Sequence, residues 1–576
     1  MIDSRPQTPT ARPAASQAFG GFFRSLRKTR ALSFVIAAGV AAYFVWSEGS
    51  GANFISTSAI TLAVCAALVF CTRRLLFSTL LVAAMVALIV GGSTIKRSGE
   101  RMVVHAYDLY FYFPTWTLIE SLWASHRAFL IGLVLALIVT IALAAMSWRS
   151  EKPDVTRRFA AAAFAVFAIV ATLAAHERIE RRHTQFYWDD LFVSSFYSSW
   201  GEALQALWRG QLLEAASFSS APPLAANSVC APAQKPPNII LIHEESVVPP
   251  SLFPQLAYDK RLDGFFKSFD GANHKLRVET YGGASWLTEF SVMTGLSTRS
   301  FGGMKQFLQT YMVQRLKDTL PQALERCGYR NVLFYPMLKS FISTAPFYTS
   351  IGIREIFDAK DQKAPTASER DRFYFANALA DMQTHFASSK APLFTFVETM
   401  VTHWPYDITY APNENVPGGG PGTNPEMHEY LRRIWLAKTD YEDLLTQLRT
   451  RFPTERFLIV HYGDHHPVAT RTLLGFPEDA EAEDITQPAN SPGYLTYFAV
   501  DGVNFRPQTS PAIDPTDVAY LSSLILYSAG LPLPDSYTER LRLMRVCGGK
   551  YYDCPDRDQI LGFHRRLIDA GLLNPR

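Results

Sequence analysis

Five long apolar runs in the first 175 residues limit what this chain can fold into more than any other feature. They are Ala31 to Trp46, Phe54 to Phe70, Leu75 to Gly92, Ala128 to Trp148 and Phe159 to Ala175. So many nearly uncharged helices leave no polar face for water, which argues against a soluble α-domain. Several runs fall short of the ~20 residues that span a hydrocarbon core, so flanking Trp, Tyr and Arg must complete them. No small-residue cleavage pattern follows the first run, which reads as an anchor rather than a cleaved signal. The mean hydropathy of +0.02 over 576 residues therefore averages two unlike parts, membrane first and globular second.

Basic residues orient the runs. Arg24, Arg27, Lys28 and Arg30 precede the first, Arg73 and Arg74 separate the second from the third, and Arg149, Lys152, Arg157 and Arg158 separate the fourth from the fifth. If the runs alternate, all three clusters share one side, so residues 1–30 are cytoplasmic and the C-terminal part lies outside. Lys96, Arg97, Arg101, Arg178, Arg181 and Arg182 fall on the outer side, where lipid head groups can meet them. The expected layout is a cytoplasmic segment 1–30, a transmembrane domain 31–175, an interfacial helix and linker 176–236, and an extracytoplasmic domain 237–576.

Two aromatic stretches, Tyr107 to Trp116 and Phe192, Phe196, Trp200, Leu204 and Leu207 at helical spacing, suit either head-group depth or packing beneath the soluble domain. Of six cysteines, Cys65 and Cys71 read as packing residues in or beside a membrane helix. Cys547 and Cys554 suit a small disulfide loop in an oxidising compartment better than a metal site, because no His or second Cys pair accompanies them. The net charge of +3 excludes little, and no basic stripe or motif points to nucleic acid.

Beyond a Ser/Ala/Pro-rich linker at 218–237, short apolar runs alternate with helical patterns such as 311–327 and 429–451. The runs are Asn238 to Ile242, Asn331 to Tyr335, Leu393 to Glu398 and Phe457 to His461. Buried parallel strands alternating with helices predict an α/β sandwich, with its site at the carboxyl ends of the strands. The first strand runs into His243-Glu244-Glu245-Ser246 and the last into His461-Tyr-Gly-Asp464-His465-His466. Carboxylates and imidazoles so placed converge as ligands for a divalent cation. In Tyr281-Gly-Gly-Ala-Ser285 the glycine pair lets backbone approach a ligand, and Ser285 stands at a helix N-terminus, where it is either a helix cap or a nucleophile toward an anion. His403, in Thr402-His-Trp-Pro-Tyr406, also lies past a strand end.

These motifs, in this order and spacing, resemble the sulfatase-like branch of the alkaline phosphatase superfamily, especially lipoteichoic acid synthases and periplasmic phosphoglycerol and phosphoethanolamine transferases. The resemblance covers residues 236 to about 535, and a five-helix anchor matches that group's architecture. It implies a bacterial inner-membrane enzyme with a periplasmic catalytic domain. Glu245, Asp464 and His465 would ligate one Mn²⁺ or Zn²⁺, Ser285 would be fourth ligand and nucleophile where many relatives use Thr, and His403 would meet the substrate phosphate or leaving group. Ser285-Trp-Leu-Thr-Glu289 lacks the Pro and Arg with which true sulfatases mature their nucleophile, which argues against sulfate ester hydrolysis. Lipoteichoic acid synthases grip glycerol phosphate with a Trp-x-Arg; the equivalent stretch Met337 to Tyr348 has no Arg and leaves Lys339 as the local cation. The further downstream His of phosphoethanolamine transferases is absent between His466 and His564. The reading is therefore transfer of a phosphoglycerol head group from a membrane phospholipid to a glycan or lipid-glycan hydroxyl through a phosphoserine. The alternatives are phosphoethanolamine transfer to lipid A or glycan, phosphodiester hydrolysis, or a membrane-tethered binding protein.

Overall fold

In the computed structural model, residues 14–48, 51–100, 103–111, 116–181, 191–209, 213–225, 230–232, 234–366, 368–480 and 487–574 are described. The chain divides into two compact units, Met1–Leu204 and Gln205–Arg576. Parts of the expected interfacial and linker stretch, residues 182–190, 210–212, 226–229 and 233, lie outside the described residues, as do residues 112–115 of the first aromatic stretch and the basic residues Arg101 and Arg182.

The first unit holds five helices long and apolar enough to cross a membrane: Thr29–Ser47, Asn53–Thr72, Leu75–Arg97, Arg127–Ser150 and Arg157–Ala174. Lipid supplies no hydrogen bonds, and several polar groups at these helices find partners within the protein. Glu151 caps the third of these helices, its carboxylate accepting from the backbone of Leu76 at 2.9 Å and Phe77 at 3.0 Å. Glu48, wholly buried, does the same for the aromatic helix Phe192–Arg209, accepting from the N–H groups of Val193 at 3.1 Å and Ser194 at 3.0 Å. Thr57 and Thr61 of the second membrane helix complete that seat through Ser194 and Tyr197, at 2.7 and 3.1 Å. The start of the aromatic helix thus docks on the membrane unit, while Leu204 stays exposed.

The second unit is built on one eight-stranded sheet. Its strands are β1 (Asn238–Glu244), β2 (His274–Arg277), β3 (Arg330–Phe334), β4 (Glu355–Phe357), β5 (Leu393–Glu398), β6 (Phe457–Gly463), β7 (Leu495–Val503) and β8 (Thr516–Asp517). The order is β4-β3-β5-β1-β6-β7-β2-β8. The five strands from β4 to β6 are parallel, whereas β7 runs antiparallel to both β6 and β2. The sheet is therefore mixed, and the four apolar runs form most of its parallel part.

Period-two alternation assigns the faces. Ile240, Ile242, Val397 and Ile459 join Tyr374, Leu379, Tyr430 and Leu444 of the helices Asp371–Ser388 and Pro425–Arg451 in one core. Each such aliphatic side chain contributes about 1.5–3 kcal/mol by leaving water. The alternate residues, among them His243, Glu245, Tyr462 and Asp464, face the other way, toward the helix Ser285–Thr294. The helical pattern expected over 311–327 is interrupted: helices Leu308–Tyr311 and Leu320–Arg326 flank a turn. The reason is local. Thr319 and Gln322 form a reciprocal capping box with Pro321 in the first turn, which starts a new helix instead of continuing an old one.

Two disulfides staple this unit, Cys547–Cys554 as the sequence suggested and Cys230–Cys327, which it did not. The second ties the segment before β1 to the turn after a helix across 97 residues of chain. Closing so long a loop restricts the unfolded chain strongly. Cys327→Ser is therefore expected to lower stability by about 3 kcal/mol and Tm by roughly 4 °C, read from thermal unfolding of the detergent-solubilised chain.

Candidate active site at the strand ends

The loop into Ser285 is bent by three consecutive residues of positive φ, Gly282 at +71°, Gly283 at +153° and Ala284 at +66°. Glycine adopts such angles freely; Ala284 does so at a cost, held there because its side chain is buried. The Gly282 N–H donates to the carbonyl of His466 at 2.9 Å, tying this loop to the one after β6. The Thr288 hydroxyl, a turn into the helix, adds a second tie to the Asp464 carbonyl at 2.8 Å. Ala284, not Ser285, occupies the cap position, and no side chain caps the helix. The Ser285 hydroxyl is free for other work: it donates to Glu245 Oε2 at 2.8 Å and lies 3.3 Å from His465 Nε2.

Asp464 and His465 follow β6 at Gly463, where a Cβ would run into the Val247 carbonyl. That close approach needs glycine and brings the two strand-end loops together. Asp464 Oδ1 accepts the N–H groups of Ser246 at 2.7 Å and His465 at 2.8 Å. Its Oδ2 lies 3.1 Å from His243 Nε2 and 3.2 Å from His465 Nε2, yet is buried without a hydrogen-bond partner. Burial opposes ionisation of Asp464, but the charges of His465 and His243 and the N–H donated by Ser246 hold its carboxyl well below the usual range. Burial likewise opposes a charge on His243, and Asp464 overrides it and raises the imidazole. His465 Nδ1 donates to the His466 carbonyl at 2.9 Å, which fixes the orientation of the ring. His465 Nε2 is 3.4 Å from Glu245 Oε1.

Glu245, Ser285, Asp464 and His465 thus converge from three chain segments. His243 joins them: one ligand atom each from His243, Glu245 and Asp464 lie within 4.8 Å of one another. The sequence reading placed His243 in the strand-end cluster but not among the four ligands, although the strand's alternation puts it on the same face as Glu245. Two imidazoles, two carboxylates and a buried carboxylate oxygen without a partner fit a divalent cation of the Mn²⁺ or Zn²⁺ type. Behind them, Glu289 accepts from Gln309 at 2.9 Å and Tyr348 at 2.7 Å, and burial raises its pKa. Glu398 at the end of β5 is pushed higher still, by burial and then by the charges of Glu289, Glu245 and Asp464.

The other expected residues stand apart from this cluster. The His403 ring hydrogen-bonds to the neighbouring Trp404 carbonyl, and its loop is anchored when the Thr402 hydroxyl donates to the Glu245 carbonyl. Lys339 pairs with Asp361 at 2.8 Å on the surface. His466 is engaged at both ring nitrogens, by Thr470 and the Leu495 carbonyl, and His461 bonds Tyr497 on the opposite face of the sheet. His564 packs against Tyr551 and the Glu214 carbonyl.

Residues 237–491 match the family model described as Sulfatase. The match lies wholly within the second unit and begins one residue before β1. A protein of Haemophilus influenzae, described as uncharacterized, is 23% identical over 352 residues, 58% of this chain and 60% of its own length, so the chain spans less than two thirds of that relative. Among solved structures, the Streptococcus pyogenes phosphoglycerol transferase GacH with sn-glycerol-1-phosphate is 17% identical, with a TM-score of 0.45 over 58% of this chain and 85% of its own. The lipoteichoic acid synthase LtaP of Listeria monocytogenes is 16% identical, with a TM-score of 0.40 over 55% and 76%. The lipooligosaccharide phosphoethanolamine transferase A of Neisseria meningitidis, an integral membrane protein, is 12% identical, with a TM-score of 0.47 over 90% and 96%. All the converging side chains named above fall inside the residues matched to the Sulfatase model.

Proposed function

We propose that this chain is a membrane-anchored, divalent-metal-dependent transferase that moves a phosphoglycerol head group from a phospholipid to a glycan hydroxyl. The observation that carries the reading is the Ser285 hydroxyl, free of any capping role and within 2.8 Å of Glu245 and 3.3 Å of His465. Glu245, Asp464, His465 and Ser285 would hold the cation, with His243 beside them. When bound, such an ion supplies Lewis acidity, lowering the pKa of a coordinated hydroxyl and offsetting charge on phosphoryl oxygens.

The chain's own groups do the rest. Ser285 Oγ attacks the phosphorus of the donor, the bond to the diacylglycerol oxygen breaks, and the serine proton ends on that oxygen. Phosphoglycerol is left esterified to Ser285. An acceptor hydroxyl then attacks the same phosphorus, its proton returning to Ser285 as the ester opens. The uncapped N-terminus of the helix Ser285–Thr294 stabilises the charged oxygens through its N–H groups and dipole. His403 meets the phosphate or the leaving group, and Lys339 reaches the donor on releasing Asp361. Two disulfides favour an extracytoplasmic, periplasmic domain, because such bonds persist in oxidising compartments.

The test incubates the detergent-solubilised chain with phosphatidylglycerol or phosphatidylethanolamine and looks for diacylglycerol and for a mass adduct on the Ser285 peptide. Glycerophosphate on Ser285 is expected. Ethanolamine phosphate there would replace the donor, and diacylglycerol without any transfer product would make the enzyme a hydrolase.

A further inference from the structure

Five large apolar side chains in the described part of the second unit are more than half exposed: Phe218 (75%), Leu338 (54%), Trp404 (58%), Ile408 (66%) and Val546 (52%). Single exposed apolar residues are ordinary on any surface. Three of these five, however, sit on only two loops, those leaving the carboxyl ends of β3 and β5, and these strands are neighbours in the sheet. Both loops are fastened to the candidate site. Phe341, three residues beyond Leu338, sets its ring edge-on to Trp286, next to Ser285, at 6.5 Å. Thr402, two residues before Trp404, donates to the carbonyl of Glu245.

Their exposure is built in. The Arg433 guanidinium, buried and paired with Glu429 at 3.0 Å, donates to the carbonyls of His403 at 2.7 Å and Ile408 at 2.8 Å. It therefore grips the loop on either side of Trp404 and fixes its path. Beside Leu338, the backbone N–H of Lys339 is held by Asp358 at 3.1 Å. Polar groups thus occupy the inner side of both loops, and Trp404, Ile408 and Leu338 are left pointing outward.

We propose that Leu338, Trp404 and Ile408 form an apolar rim that enters the head-group and acyl boundary of a phospholipid bilayer, bringing the site to its lipid donor. The occupant follows from the chain itself, which carries five helices able to cross a membrane, and from the residue types, since Trp beside branched aliphatic residues favours that boundary. The inference deepens the transferase reading and rests on it for the purpose of the rim, but its test does not depend on activity.

The full chain, with Cys65 and Cys71 replaced by serine, would be reconstituted into phosphatidylglycerol/phosphatidylcholine vesicles. A spin label would be placed at Leu338→Cys, at Ile408→Cys, or at Lys275→Cys on the exposed surface of β2 as the water-side comparator. Collision with oxygen against a nickel chelate reports depth. The labels at 338 and 408 are expected about 5–10 Å into the head-group and acyl boundary, with the label at 275 in water. Nickel accessibility at 338 or 408 equal to that at 275 overturns the proposal. Immersed labels on a chain that transfers no head group would sink the transferase reading and leave the rim standing; labels in water on an active chain would do the reverse.

Discussion

Ser285→Ala is expected to abolish diacylglycerol release from the donor, with a loss on the order of 10⁴- to 10⁶-fold, because deleting a nucleophile removes the whole covalent route rather than one contact. The fold should survive. Ser285 caps nothing, and the helix behind it is held by Thr288, by buried residues on every side, and by the loop tie from Gly282 to His466. Unfolding curves of the variant and the parent should coincide. Ser285→Thr supplies the same hydroxyl and should retain a measurable fraction of activity. A Ser285→Ala protein with full transfer activity would remove the phosphoserine from the mechanism.

Asp464→Asn is expected to weaken divalent-cation binding by more than about 100-fold, while His243→Asn, whose ring braces the same oxygen at 3.1 Å, should weaken it by about 10- to 100-fold. The ordering follows from charge. Asparagine keeps the shape and one acceptor but removes the negative charge that His243 and His465 are arranged around. Calorimetric titration of chelator-treated protein with Mn²⁺ or Zn²⁺ measures both constants. Activity of the parent should vanish with chelator and return with metal, whereas Asp464→Asn should stay inactive at metal concentrations that restore the parent. Equal affinity in all three proteins would show that the cluster is no cation site.

The strands that were legible in the sequence are those buried on both faces, since β1, β3, β5 and β6 are continuous apolar runs. The others were hidden for identifiable reasons. β4 spans three partly exposed residues, β2 reads His-Lys-Leu-Arg, and β7 carries Asp501 and Gly502 within its length. Glu245, Ser285, Asp464 and His465 could be picked out because strand ends and a glycine pair mark them locally. His403 and Lys339 lie on loops whose course depends on Arg433 and Asp358, partners distant in sequence, and no local pattern reports where such loops turn. The Cys230–Cys327 pair was illegible for a similar reason: one partner lies before the first strand and the other beyond a helix, and only the assembled fold brings them together.

The two backbone N–H groups on Asp464 Oδ1 have a consequence for ion selectivity. With that oxygen committed to Ser246 and His465, the carboxylate can offer a cation one atom, Oδ2, and cannot swing to offer both. Glu245 is similarly divided, one oxygen accepting from Ser246 and the other from Ser285. Calcium draws its affinity from six to eight oxygens and often from bidentate carboxylates. In the proposed cation site, monodentate acids and imidazoles would deny calcium that coordination number, so titration of the chelator-treated chain is expected to show weaker binding of calcium than of Mn²⁺ or Zn²⁺.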